Sequence, residues 1–208
     1  MKSIKNTQHR RSGFTLIEMI GVLAIIAVLA ALLIPRIFSA INESRVNGAA
    51  LSYNSLKSAA TTYFGKYGRF GGNGGTNFTG TELTNGVSNW DSAYLLTGGF
   101  IERPFETKLG TGSNIQVRGA SSSVTAVDGT NTAYDLDGSG TTVNDVTGAV
   151  VLQAILSNVA EDDAIELNNK IDGTTLGAAS GAADLKGRVK YAVAASGTTT
   201  VYLYIAHK

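Results

Sequence analysis

Residues 14–34 read FTLIEMIGVLAIIAVLAALLI, twenty-one positions with a single charge. As a helix, a run of this length rises about 30 Å, the thickness of bilayer hydrocarbon. Such a helix is apolar on every side and insoluble alone, so it belongs in a membrane or in a bundle of its own kind. The thirteen residues before it hold Lys2, Lys5, Arg10 and Arg11 and no acid, and the positive-inside bias keeps that end in the cytoplasm and sends the rest outward. Beyond residue 13 the balance is 13 bases against 16 acids, which excludes a strongly basic nucleic-acid binder, and nucleic acid is not an expected partner. There is no cysteine, so no disulfide, thiolate nucleophile or Cys-ligated metal can form. The two histidines, His9 and His207, argue against histidine acid–base catalysis and against a multi-histidine metal site.

Glu18 conflicts with a plain anchor, because a carboxylate inside lipid costs about 2.5 kcal/mol or more unless it is paired. A secretory signal peptide would have a shorter apolar core and an Ala-x-Ala cleavage site, and no Ala-x-Ala occurs in residues 1–50. Arg10 and Arg11 resemble a twin-arginine signal only as far as any positive-inside pair does. The segment Arg11-Ser12-Gly13-Phe14-Thr15-Leu16-Ile17-Glu18 accounts for all these features together, since it resembles the class III leader junction of type IV pilins and of the pseudopilins of type II secretion.

The resemblance is dense from residue 10 to about residue 67. It implies cleavage by a prepilin peptidase between Gly13 and Phe14 and N-methylation of Phe14. It also implies pairing of Glu18 with the N-terminal amine of a neighbouring subunit in a homopolymer built by an inner-membrane assembly platform. A carboxylate and an ammonium brought together in a low-dielectric core attract strongly, while either alone is expensive, so the pair would set register. The fold implied is α+β and type IV pilin-like, a long N-terminal helix packed on a small antiparallel sheet.

Past Pro35 the pattern turns periodic. Ile37, Ile41, Ala49, Leu56, Ala60, Tyr63 and Tyr67 fall on one stripe widened by Phe38, Val46 and Tyr53, while Glu43, Arg45, Asn54 and Lys57 mostly face away. The expected organisation is a cleaved leader at 1–13, a membrane or filament-core helix at 14–34, an amphipathic continuation at 35–67 and a head at 68–208. Pro35 is the expected helix break, a local unwinding or bend in the filament, because proline costs a helix interior about 3 kcal/mol.

The head holds most of the 25 glycines with abundant Ser, Thr and Asn, and reads as short strands and turns. Gly71-Gly72-Asn73-Gly74-Gly75 reads as a flexible loop; it lacks the Gly-Lys-Ser/Thr of a phosphate loop. Residues 92–96 are expected to form a helix or turn packing Trp90 and Tyr94. Short strands are expected at 115–118, 124–127 and 132–136, and helices at 150–159 and 160–171. The clearest sheet signal is a hairpin of 187–194 and 199–206 about Ser196-Gly197. Val189, Tyr191, Val193, Val201, Leu203 and Ile205 should cover the long helix, with Tyr202 and Tyr204 facing solvent or a neighbour.

Residues 128–172 contain nine acids and one base, Lys170. Within them Asp135-Leu-Asp137-Gly-Ser139-Gly140 places oxygen side chains at positions one, three and five with glycine at six, as an EF-type calcium loop does. Position twelve is Val146 in place of a glutamate, with Asp145 one residue early. The candidate calcium ligands are therefore Asp135, Asp137, Ser139 and Asp145, and the competing reading is an Asx/Gly turn. No Ser-His-Asp set can be assembled, and Asp162-Asp163 suit a helix start, so no enzyme is expected. Lys186, Arg188, Lys190 and Lys208 form a basic patch that could meet the acidic block of another subunit, the favoured reading, or bind DNA weakly.

The expected function is a structural subunit of a type IV pilus-like filament, in the inner membrane as precursor and then on the cell surface. The alternatives are a periplasmic secretion pseudopilin and a membrane-anchored domain that never polymerises.

Overall fold

A computed structural model describes residues 13–121, 127–139, 144–146, 148 and 150–208. The described residues fall into two compact units, the first ending at Ile41 and the second running from Asn42 to Lys208. Helix α1, Leu16–Tyr67, contributes to both.

In the first unit α1 is apolar and uncovered: Leu16, Ile17 and Leu32 are each more than two-thirds exposed. The helix runs through Pro35, and Ser39 donates its hydroxyl to the Pro35 carbonyl at 3.1 Å. The unwinding expected at Pro35 concerns the filament and stands as a prediction for it.

In the second unit α1 buries Val46, Ala49, Tyr53, Leu56, Ala59, Ala60 and Tyr63, which recur at three- and four-residue steps. This face starts later than the stripe read from the sequence, since Ile37, Phe38 and Ile41 are exposed. It packs with Ile115, Val117, Leu152, Leu156, Val189, Val201, Leu203 and Ile205 into one core. After α1 come a single 3-10 turn, Asn73–Gly75, helix α2, Gly80–Asn85, and one π-helical turn, Asp91–Leu96, close to the helix or turn expected there. The glycine-rich loop is tightly packed: the Gly71 carbonyl accepts from Trp90 Nε1 at 2.9 Å and the Gly72 carbonyl from the Tyr63 hydroxyl at 2.6 Å.

The sheet has four antiparallel strands in the order β1-β2-β4-β3. They are β1, Gly112–Gly119, β2, Val150–Ala160, β3, Val189–Tyr191, and β4, Thr198–His207, with helix α3, Glu161–Ile171, after β2. Each outer strand is met along its free side by one isolated bridge, Val87 to Val117 on β1 and Asp184 to Tyr191 on β3.

Four expectations are corrected. Residues 150–159 form β2, not a helix, and this strand lies between β1 and β4. It is buried almost throughout, so its apolar residues do not alternate. Residues 132–136 make only a bridge, Asp135 to Lys186. Val193 is more than half exposed, because β3 ends at Tyr191. Tyr202 and Tyr204 are buried, and Tyr134, Val146 and Val151 gather round Tyr204 as a second small core. The segment leading into β2 therefore covers part of the sheet that the sequence reading left open. The expected strand at 124–127 falls largely outside the described residues.

Candidate functional site

The expected processing junction, Gly13 and Phe14, stands immediately before α1. Phe14 is 83 % exposed, and a Cβ added at Gly13 would meet nothing within 4 Å. Thr15 is the residue before the first helical turn, and Glu18 is the third residue of the helix. The Thr15 backbone N–H and hydroxyl both donate to Glu18 Oε2, at 2.8 and 2.7 Å, and the Glu18 N–H donates to Thr15 Oγ1 at 3.3 Å. This reciprocal arrangement is a capping box, and it satisfies helix N–H groups that have no intrahelical acceptor.

The capping box amends what the sequence reading asked of Glu18. Part of the partnership that an acid at this depth demands comes from its own helix start, and both side-chain bonds fall on Oε2. The signal was present in Thr15-x-x-Glu18 ahead of an apolar run, the capping-box pattern. The same box recurs at α2, where the Thr79 N–H donates to Glu82 at 2.6 Å.

The acidic loop is the second candidate. Carboxylate oxygens of Asp135, Asp137 and Asp145 lie within 4.8 Å of one another. Asp135 is buried at 2 % exposure, Asp145 is partly buried and Asp137 is exposed. Among the described residues neither Asp135 oxygen is met by a well-aligned hydrogen-bond donor, and the Gly138 N–H offsets its burial only in part. Burial, and then the neighbouring carboxylates of Asp137 and Asp145, raise the pKa of Asp135. Asp137 is lowered, chiefly by Ser139, whose N–H donates to Asp137 Oδ1 at 2.8 Å. That last bond is the expected Asx turn, so both readings of the loop coexist. The Asp137 N–H donates to Asp145 Oδ2 at 3.2 Å, and the Asp145 N–H to the Tyr134 carbonyl at 2.9 Å. Gly140, the glycine at position six, lies outside the described residues.

The basic patch is only partly a surface. Lys190 is fully buried, with its Nζ donating to the carbonyls of Asn131 and Ala133 at 2.5 and 3.1 Å and lying 4.2 Å from the centre of the Tyr134 ring. Burial pulls its pKa down to about 7. Lys186, Arg188 and Lys208 remain exposed. His207 lies in β4 with Nδ1 at 2.5 Å from the Tyr204 hydroxyl.

Comparison with curated proteins and with solved structures finds no match. The family model described as the prokaryotic N-terminal methylation motif matches residues 8–34. Gly13, Phe14, Thr15 and Glu18 all lie inside the matched stretch, which runs into the first part of α1, the helix that is long and apolar enough to cross a membrane. The chain thus carries the N-terminal methylation motif, and with a long N-terminal helix whose second half packs on a small antiparallel sheet it is similar to type IV pilins and pseudopilins.

Proposed function

We propose that the chain is a prepilin, cut between Gly13 and Phe14, methylated on Phe14, and polymerised through α1 into a surface filament that serves adhesion, motility or DNA uptake. The observation that carries this reading is the coincidence, within the methylation motif, of an uncovered apolar helix and one acid held at its first turn. Before assembly the bilayer would cover the helix, and in the filament the helices of identical subunits would replace the lipid. Cleavage after Gly13 leaves Thr15 one residue inside the new terminus, so the capping box survives processing. With Oε2 engaged by Thr15, Glu18 presents its other oxygen to the methylated amine of a neighbouring subunit, a pair that fixes register as subunits are added. The assembly platform of the inner membrane and the prepilin peptidase are the partners this route requires.

The test is to shear fibres from intact cells and take the intact mass of this chain in them. A chain beginning at methylated Phe14 in the sheared fraction supports a surface pilin. Processed chain confined to the envelope would replace this reading with a secretion pseudopilin, and unprocessed chain there with a simple membrane anchor.

A further inference from the structure

Asp135 is an anomaly of the head. It is an acid at 2 % exposure, neither of its oxygens is met by a well-aligned hydrogen-bond donor among the described residues, and it lies against two further carboxylates. A buried ionised carboxylate short of donors is among the costlier arrangements a fold can hold, and two acidic neighbours make it worse. Either a proton or a cation must offset that charge. Asp137 and Asp145 tie the same loop together through the Asp137 N–H, so the three groups are held in place by the backbone as well as by sequence.

The donor set discriminates among cations. It is all oxygen, with no nitrogen or sulfur ligand in the cluster, which suits a hard cation over zinc or copper. Calcium takes oxygen ligands at about 2.3–2.6 Å, so two oxygens on one ion stand at most about 5 Å apart. The three carboxylates meet that spacing at 4.8 Å. Their charge and the mixture of buried and exposed members fit a loop site in which water completes the shell, whereas magnesium demands a near-ideal octahedron.

We propose that Asp135, Asp137 and Asp145 form a calcium site, and that the ion fastens the segment ahead of β2 to the β3 side of the sheet. The connection is already drawn in the backbone, since the Gly187 N–H donates to the Asp135 carbonyl at 2.7 Å and Asp135 bridges to Lys186, three residues before β3 begins. On the opposite side of Asp135 in sequence, Tyr134 packs on Tyr204 of β4 with ring centres 5.3 Å apart. Calcium at Asp135 would therefore order the cover over Tyr204. Ser139, exposed and bound to Asp137 through its N–H, stands at the rim and is a further candidate ligand through its hydroxyl.

The experiment uses the full chain in detergent, freed of divalent ions by chelation, with melting followed as calcium chloride or magnesium chloride is added. A Tm that climbs with the logarithm of free calcium is expected, reaching about 5–10 °C when calcium is a hundredfold above Kd, with a smaller rise for magnesium. Asp137→Asn, at an exposed position where folding is not at stake, should raise the calcium Kd tenfold or more, as should Asp145→Asn. Asp162→Asn, in the first turn of α3, serves as the control and should keep the full response. No calcium-dependent shift up to millimolar concentrations overturns the proposal, and so does an undiminished shift in both Asp137→Asn and Asp145→Asn. An equal response to magnesium overturns the assignment to calcium.

Discussion

The hydroxyl of Tyr53, in the second half of α1, donates to the backbone carbonyl of Tyr204 on β4 at 2.6 Å, joining residues 151 positions apart. Burial pushes the Tyr53 pKa up to about 12, so the phenol stays a donor at all ordinary pH values. Tyr53→Phe removes the donor, keeps the ring, and leaves the carbonyl buried without that partner. The expected cost is about 1–2 kcal/mol, read as a lower denaturant midpoint with an unchanged slope. A midpoint equal to that of the native chain would mean that ring packing alone ties helix to sheet.

Glu18 and Thr15 separate helix capping from assembly. Glu18→Ala should abolish fibres while leaving membrane insertion intact. Thr15→Val loses the cap, worth about 1 kcal/mol, and should still give fibres, because the carboxylate proposed to meet the next subunit remains. Counting sheared fibres from cells that express each variant distinguishes the roles. If Thr15→Val removes fibres as completely as Glu18→Ala, then the cap, and not the intersubunit pair, is what assembly needs.

Gly13 has open space where a side chain would go. Gly13→Val should therefore leave the fold unaltered, so that any block in processing belongs to the peptidase. The expected result is a membrane-inserted chain of full precursor mass and no fibres. Cleavage at the native rate would show that the junction does not need glycine.

Lys190 gives the head a defined response to pH. Its pKa falls from the ordinary lysine range to about 7 on folding, so between about pH 7 and 10 the unfolded chain binds more protons than the folded one. Stability then rises with pH through that window, by at most about 1.4 kcal/mol per unit from this residue, and the contribution is lost as pH falls and the buried amine must charge. Denaturant midpoints at pH 7, 8 and 9 should climb for the native chain and stay nearly flat for Lys190→Met. A native profile as flat as the variant's would place the amine in water.

The N-terminal half of this fold was legible because its pattern has one cause. The apolar run, Glu18 and the Gly13-Phe14 junction need no tertiary knowledge, and the stripe from Val46 to Tyr63 shows its helical period because one side of α1 is covered. Strand β2 lacked that asymmetry. Val150, Val151, Leu152, Ala154, Ile155 and Leu156 stand in a strand covered on both faces, where alternation disappears and a short apolar run reads equally as helix. Val151 and Val159 are β-branched, and that preference for strand was the usable signal. Tyr204 was misassigned because nothing near it in sequence announces a cover contributed by Tyr134 and Val146. At the acidic loop the sequence supplied Asp135, Asp137 and Asp145, but only the fold shows that Asp135 is buried and that the three carboxylates converge.

The two bridges at the sheet margins bear on how such a protein can be stored at high density. Val87 exchanges both backbone hydrogen bonds with Val117 at 2.7 and 2.9 Å, and Asp184 does the same with Tyr191 at 2.8 and 3.0 Å. An unblocked strand margin is a template for intermolecular β-pairing and for amyloid-like growth. With a short bridging segment on each margin, crowded heads have little open backbone with which to recruit one another, and cohesion is left to the apolar helix, whose partner can be lipid or its own kind.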